Sequence, residues 1–131
     1  MQTKEFFATD ENMDSVNTFI HSLLPKNCPM EEQYKIDVAV EEIFVNIAHY
    51  SGSEKAWIDC GTDEKGLFTV VFRDCGKPFN PLEQADPDIT LSAEERDIGG
   101  LGIFLTKKFM TSVSYKYENE QNILTIKKSF S

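Results

Sequence analysis

The sequence predicts an α+β fold, a two-layer sandwich with helices on one face of a mixed, mostly antiparallel sheet. Two patterns lead there. Segments with helical apolar spacing and segments with alternating apolar residues follow one another in the order β-α-α-β-β-loop-α-β-β. The strands are joined mostly by hairpins while the helices gather elsewhere, which argues against a doubly wound parallel sheet.

Length and composition bound the answer. The chain has 131 residues, 40% of them apolar and ten of them Phe, enough for one core without metal or disulfide staples. No repeat, low-complexity tract or Pro/Gly-rich linker divides it, so a single domain spanning 1–131 is expected. Thirteen Lys and Arg against 22 Asp and Glu give a net charge of −9. A field of that sign repels phosphate backbones and anionic lipid, so neither nucleic acid nor a membrane surface is expected as a partner. Cys28, Cys60 and Cys75 are odd in number and scattered, a pattern that speaks against a disulfide scaffold or a structural zinc site. No basic-then-apolar leader pattern and no 18-residue apolar stretch occurs. The expected compartment is therefore the reducing cytoplasm.

The elements follow in order. Lys4–Thr9 reads as a short edge strand. Asp10 can cap a helix to about Leu24, with Val16, Phe19, Ile20 and Leu23 on one stripe. Pro25 through Pro29 interrupt it, and a long helix follows from about Met30 to Tyr50. Ser51–Ser53 turn the chain. Lys55–Cys60 and Leu67–Arg73 are then strands of a hairpin closed by the turn-rich stretch Gly61 to Gly66. Residues 75–98 hold Pro78, Pro81 and Pro87, many acids and no period; so long an irregular stretch suits a functional lid, placed at about 79–98. Gly99-Gly100-Leu101-Gly102 ends that stretch and opens a helix to about Met110. Val113–Tyr117 and Ile123–Lys128 close the chain as another hairpin.

Three constellations carry chemistry. On the long helix, Ile36, Val40, Ile43 and Ile47 form the core stripe, and Glu42 and Asn46 lie beside it at i, i+4. Glu41 points to solvent, whereas Glu42 shares a partly enclosed face with Asn46. A carboxylate set between apolar flanks costs stability unless paired, which marks functional sites; an ordinary polar helix face is the plainer alternative. At the end of the third strand, alternation puts Phe68, Val70, Phe72 and Asp74 on one face, with Gly76 close behind. Asp74 there suits recognition of a donor such as an exocyclic amine, and Gly76 would admit a flat ligand close to the backbone. A strand-ending Asx-turn explains the same residues. Finally, Gly99, Gly100 and Gly102 at a helix start could bind an anion through main-chain N–H groups without a lysine, or could serve as a flexible hinge.

Taken together, Glu-x-x-x-Asn on a helix, Asp-x-Gly-x-Pro-Phe-x-Pro after a strand, and Gly-Gly-Leu-Gly after a lid resemble the GHKL ATPases with their Bergerat fold, the superfamily of gyrase, histidine kinases and MutL. The small anti-sigma-factor serine/threonine protein kinases are the nearest in plan, and the resemblance covers nearly the whole chain, to the closing Lys127-Lys128. It implies ATP and Mg²⁺ as ligands, with Asn46 on the metal, Asp74 accepting the adenine amine and Gly76 lining the base pocket. Gly99, Gly100, Leu101 and Gly102 would wrap the phosphates, and Glu42 would be the general base. His49, one turn after Asn46, would border the nucleotide or be purely structural.

The pattern departs from the wider superfamily at Pro78, where a further glycine is usual, and at Gln121-Asn122, which replace a Gly-Thr that approaches the base. Asn122 would then supply an equivalent hydrogen bond. Arg96 and Lys77 could reach phosphate or ribose, though a solvated position accounts for both. His21 lacks the acidic neighbour and the separate helix pair of a histidine-kinase phosphoacceptor. The implied function is a cytoplasmic anti-sigma-factor-type serine/threonine protein kinase. It would phosphorylate a small antagonist protein of the anti-anti-sigma type and sequester a regulatory partner such as a sigma factor. A homodimer through the first strand and helix is compatible with the same resemblance. The alternatives are a non-catalytic, nucleotide-gated binding module, or an interaction protein with a relict pocket.

Overall fold

The computed structural model describes residues 1–83 and 98–130, and of residues 98–101 the backbone alone. Its elements are β1 (Gln2–Phe7), α1 (Met13–His21), α2 (Met30–Asn46), β2 (Lys55–Thr62), β3 (Phe68–Asp74), α3 (Ile98–Phe109), β4 (Ser112–Glu118) and β5 (Gln121–Lys128). The strands form one sheet in the order β1-β2-β3-β5-β4, and all four pairings are antiparallel. The α+β sandwich expected from sequence is therefore the observed fold, with an antiparallel rather than mixed sheet.

Alternation sorts each strand into two faces. Phe6 of β1, Ala56, Ile58 and Cys60 of β2, Phe68, Val70 and Phe72 of β3, and Leu124 and Ile126 of β5 are all buried on the helix side. Against them α1 sets Val16 and Ile20, and α2 sets Ile36, Ala39, Val40, Ile43 and Phe44. Phe44 meets Phe6 edge to face, at 6.4 Å between ring centroids. Cys60 behaves as a small apolar residue; burial pushes its thiol pKa up to about 12.

Local chemistry fixes the ends of these elements. The β2–β3 turn is organised by Asp63, whose Oδ1 accepts from the backbone N–H of Lys65 and Leu67, both at 2.9 Å, while Lys127 Nζ donates to Oδ2 at 2.9 Å. The β4–β5 turn takes only Asn119 and Glu120, both at positive φ (54° and 61°), so Glu118 pairs directly with Gln121. At the far end of the helical layer, Lys128 donates to the Phe109 carbonyl at 2.8 Å and pairs with Glu32 at 2.8 Å, tying β5 to the end of α3 and the start of α2. His21 of α1 bonds Asp37 of α2 at 2.6 Å. That pairing gives His21 a structural role in joining the helices. Among the described residues, no helix is long and apolar enough to cross a membrane.

Candidate functional site

The helix α2 does not simply stop after Asn46. Residues Ile47–Ser51 continue it as a π-type turn, ended by Gly52 in the left-handed region at φ 75°. Such turns are rare and often accompany functional sites. This one carries the chain against the Asp-x-Gly segment. Ser51 Oγ donates to the Ile47 carbonyl at 2.7 Å, and the Ser51 carbonyl accepts from Lys77 N at 3.3 Å. Ser53 Oγ accepts from Cys75 N at 3.1 Å. Ser51 and Ser53, which sequence reasoning treated only as a turn, thus lock the end of the asparagine helix to the segment after β3.

The role of Gly76 is visible in the same place. A Cβ at Gly76 would lie 2.2 Å from the Ser51 carbonyl oxygen. The glycine is demanded by the approach of two protein segments, whereas the sequence argument supposed the approach of a ligand. We expect Gly76→Ala to lower stability by about 1–3 kcal/mol, the usual range for an overpacked site. Urea unfolding measures it, and an unchanged midpoint would contradict the contact.

Asp74 stands at the end of β3 with 5% exposure, directly opposite Asn122 on β5. Its Oδ1 accepts from Gly76 N at 2.9 Å and from Asn122 Nδ2 at 3.0 Å. The first of these bonds is the Asx-turn considered as the plain explanation; it forms, and the second bond adds to it. Asp74 Oδ2 takes no hydrogen bond among the described residues. Asn122 Nδ2 also donates to the Lys77 carbonyl at 2.8 Å, while its Oδ1 accepts from Phe79 N at 3.0 Å and from Tyr115 Oη at 2.5 Å. Burial, acting first, raises the Tyr115 phenol pKa and keeps it a donor. Tyr115 was not singled out from the sequence; its place on β4, diagonal to Asn122, follows from the short β4–β5 turn.

Asp74, Asn122 and Tyr115 line one cavity together with Asn46, Ile43 and Ile47 of α2 and its continuation, Phe72 and Leu124 of the sheet, and Ile103 of α3. Tyr50, Lys77, Phe79 and Pro81 also border it, with Tyr50 and Phe79 largely exposed. The cavity is apolar along most of its wall and carries a buried carboxylate on one side and an amide on the other. Mixed walls of this kind suit a flat heterocycle with a polar edge.

Glu42 lies one turn before Asn46 and accepts from Asn46 Nδ2 through Oε1 at 3.0 Å. It is not among the residues lining the cavity; its carboxylate rests on Gly102 of α3, where a Cβ would fall 2.0 Å from Glu42 Cδ. Gly102 therefore opens room for the Glu42 carboxyl group. Burial raises the Glu42 pKa above its ordinary 4.5, and the Asn46 hydrogen bond opposes that rise. Glu41 is exposed, as the helical wheel requires. Asn46 Oδ1 has no partner among the described residues.

Gly99, Gly100 and Leu101 fall in the first turn of α3, whose leading N–H groups lack intrahelical acceptors. His49 is not brought to the cavity; its ring is half-exposed and bonds Asp10 at 2.7 Å. Lys77 borders the cavity and is exposed. Arg96 and most of the expected lid, residues 84–97, lie outside the described residues.

Comparisons with known proteins bear on the fold and the family. No curated protein matches the sequence. Among solved structures, the RsbU and RsbW domains of Rv1364c from Mycobacterium tuberculosis superpose with a TM-score of 0.61 at 10% identity, covering 98% of this chain and 32% of that one. The histidine kinase domain of the Erythrobacter litoralis EL346 blue-light activated histidine kinase superposes with a TM-score of 0.60 at 12% identity, covering 98% of this chain and 68% of that one. This chain thus spans about a third of the first structure, and at such identities the likeness is one of fold. The family model of the histidine kinase-like ATPase domain matches residues 6–128, a span that includes Glu42, Asn46, Asp74, the Gly99–Gly102 helix start and Asn122. The chain belongs to the family of histidine kinase-like ATPase domains.

Proposed function

We propose that the protein binds ATP in this cavity and uses it to regulate a protein partner, as a serine/threonine protein kinase of the anti-sigma-factor type. One observation carries the nucleotide part. A buried carboxylate, held by Asn122 and Gly76, keeps one oxygen without a partner among the described residues, on the wall of an apolar cavity. An acceptor-only group so placed suits the amino group of adenine.

The residues also fit a magnesium ion. Among the described residues the amide oxygen of Asn46 is free while its nitrogen is committed to Glu42, and Mg²⁺ favours oxygen ligands and retains several waters. When bound, the ion supplies charge neutralisation for the phosphates, which a chain of net charge −9 does not itself provide. The N–H groups of the Gly99–Gly102 turn at the start of α3 would bind phosphate oxygens. Glu42, half-buried and oriented by Asn46, would accept the proton of an attacking hydroxyl.

The phosphoacceptor we propose is a Ser or Thr of a small antagonist protein, with a sigma factor as the sequestered partner. Support comes from the family match and from the fold shared with an RsbW-containing structure. The test is capture of partners from native lysate with and without ATP, followed by phosphosite mapping. A Ser or Thr phosphorylated only when ATP is present supports the kinase. ATP-dependent capture without any new phosphosite would replace it with a nucleotide-gated binding module.

A further inference from the structure

The orientation of Asn122 is fixed by its surroundings. Its Oδ1 faces two donors, Phe79 N and Tyr115 Oη, and its Nδ2 faces three acceptors, Asp74 Oδ1 and the carbonyls of Gly76 and Lys77. Turning the amide over would set its oxygen against the carboxylate and the carbonyls, and its nitrogen against the two donors. Both donor sites and both acceptor sites of the amide are therefore in use, and nothing is left over for a ligand. Asn122 is also 7% exposed. It lines the cavity as a support for Asp74 rather than as a hydrogen-bond partner of the base.

We propose that Asn122 is a positioning residue that decides which atom position 74 shows to a bound purine, so that the Asp74–Asn122 pair sets the preference for a 6-amino over a 6-oxo base. The proposal rests on reading the cavity as a purine-nucleotide site. Asn122 Nδ2 and Gly76 N both point a hydrogen at the same oxygen of residue 74. With Asp74 in place, the other oxygen stays an acceptor and favours an amine. An asparagine at position 74 would be turned by the same two donors so that its oxygen faces them. Its nitrogen would then occupy the place of Oδ2 and donate into the cavity, which favours a 6-oxo group. Tyr115 assists by occupying the far side of the Asn122 amide.

The test is calorimetric titration with adenosine diphosphate and inosine diphosphate, which differ in the group at the purine 6-position. The native protein is expected to prefer the adenosine ligand. Asp74→Asn is expected to lose at least tenfold in affinity for it and to bind the inosine ligand more tightly. In Asp74→Asn/Asn122→Ala the amide at 74 loses one of its two orienting donors, and the reversed preference narrows at least threefold. Melting curves establish that each variant is folded. Should that double variant not fold, Asp74→Asn/Asn122→Leu, which restores the lost volume without an N–H donor, carries the same comparison. Should Asp74→Asn still prefer the adenosine ligand, or should the folded double variant be as selective as the single one, the orienting role is wrong while the nucleotide site stands. A native protein that binds neither diphosphate overturns the nucleotide reading and this inference with it.

Discussion

Glu42→Gln is expected to leave nucleotide affinity within about twofold and to lower phosphotransfer or hydrolysis at least ~100-fold, the scale of a lost general base. Glutamine keeps the length of the side chain, its place on Gly102 and an oxygen that can accept from Asn46 Nδ2. It loses the negative charge and with it the capacity to take a proton. Glu42 is also not a cavity-lining residue, so binding has little reason to change. Steady-state turnover and calorimetry on the same preparation separate the two effects. Turnover at the native rate would remove Glu42 from the chemistry and favour the nucleotide-gated binding module.

The same variant has a pH signature. Burial raises the folded-state pKa of Glu42, so between its ordinary 4.5 and that raised value the folded protein binds more protons than the unfolded chain. Stability from this group is therefore lost as pH rises through that window, and the ionised form weighs on the fold above it. Glu42→Gln removes the burden. Its melting temperature should exceed that of the native protein at neutral pH, and the gain should vanish below the ordinary carboxylate value. A gain independent of pH would contradict the assignment of the shift to burial of this carboxylate.

Asn46→Ala is the second large effect. The helix should survive, because Ala is the best helix former and the Asn46 side chain makes one hydrogen bond among the described residues, to Glu42. What disappears is the free amide oxygen expected to meet the metal, and with it the donor that orients the base. Turnover should fall at least ~100-fold, and ATP affinity should become the same in Mg²⁺ and in EDTA. In the native protein the two affinities should differ. A variant whose ATP binding still responds to Mg²⁺ would place the ion on other ligands.

Much of this was legible from residue order. Helical spacing put Glu42 and Asn46 on one face and turned Glu41 outward; strand alternation put Asp74 on the buried face with Phe68, Val70 and Phe72. These inferences succeed because the helical and strand periods are fixed by backbone geometry. Readings that depended on turns fared differently. The last hairpin was expected to turn through residues 118–122, leaving Asn122 in a loop. Asn119 and Glu120 alone make the turn, at positive φ, which places Asn122 inside β5 opposite Asp74. The signal was present: Asn122, Leu124 and Ile126 continue one alternating face.

Glycine roles were the other blind spot. Pattern alone marks where a side chain is missing, and it does not say what fills the space. At Gly76 the neighbour is the Ser51 carbonyl, and at Gly102 it is the Glu42 carboxyl group. Both contacts join elements far apart in the chain, as do the bonds from Ser51 and Ser53 to the segment after β3. The π-type continuation of α2 that makes them was equally out of reach, because its residues also fit an α-helix running to Tyr50.

On the proposed function, the cavity between the Asn46 helix end and the Asp74 strand end holds an adenosine nucleotide. The most direct measurement is a titration of ¹⁵N-labelled protein with Mg·ADP, followed by amide shifts. Saturable changes are expected, centred on residues 43–51 and 74–79, with Ile103, Tyr115 and Asn122 among them, and a quiet outer face of β1 and β2. Saturable shifts confined to any other surface, or none at millimolar Mg·ADP, would contradict it.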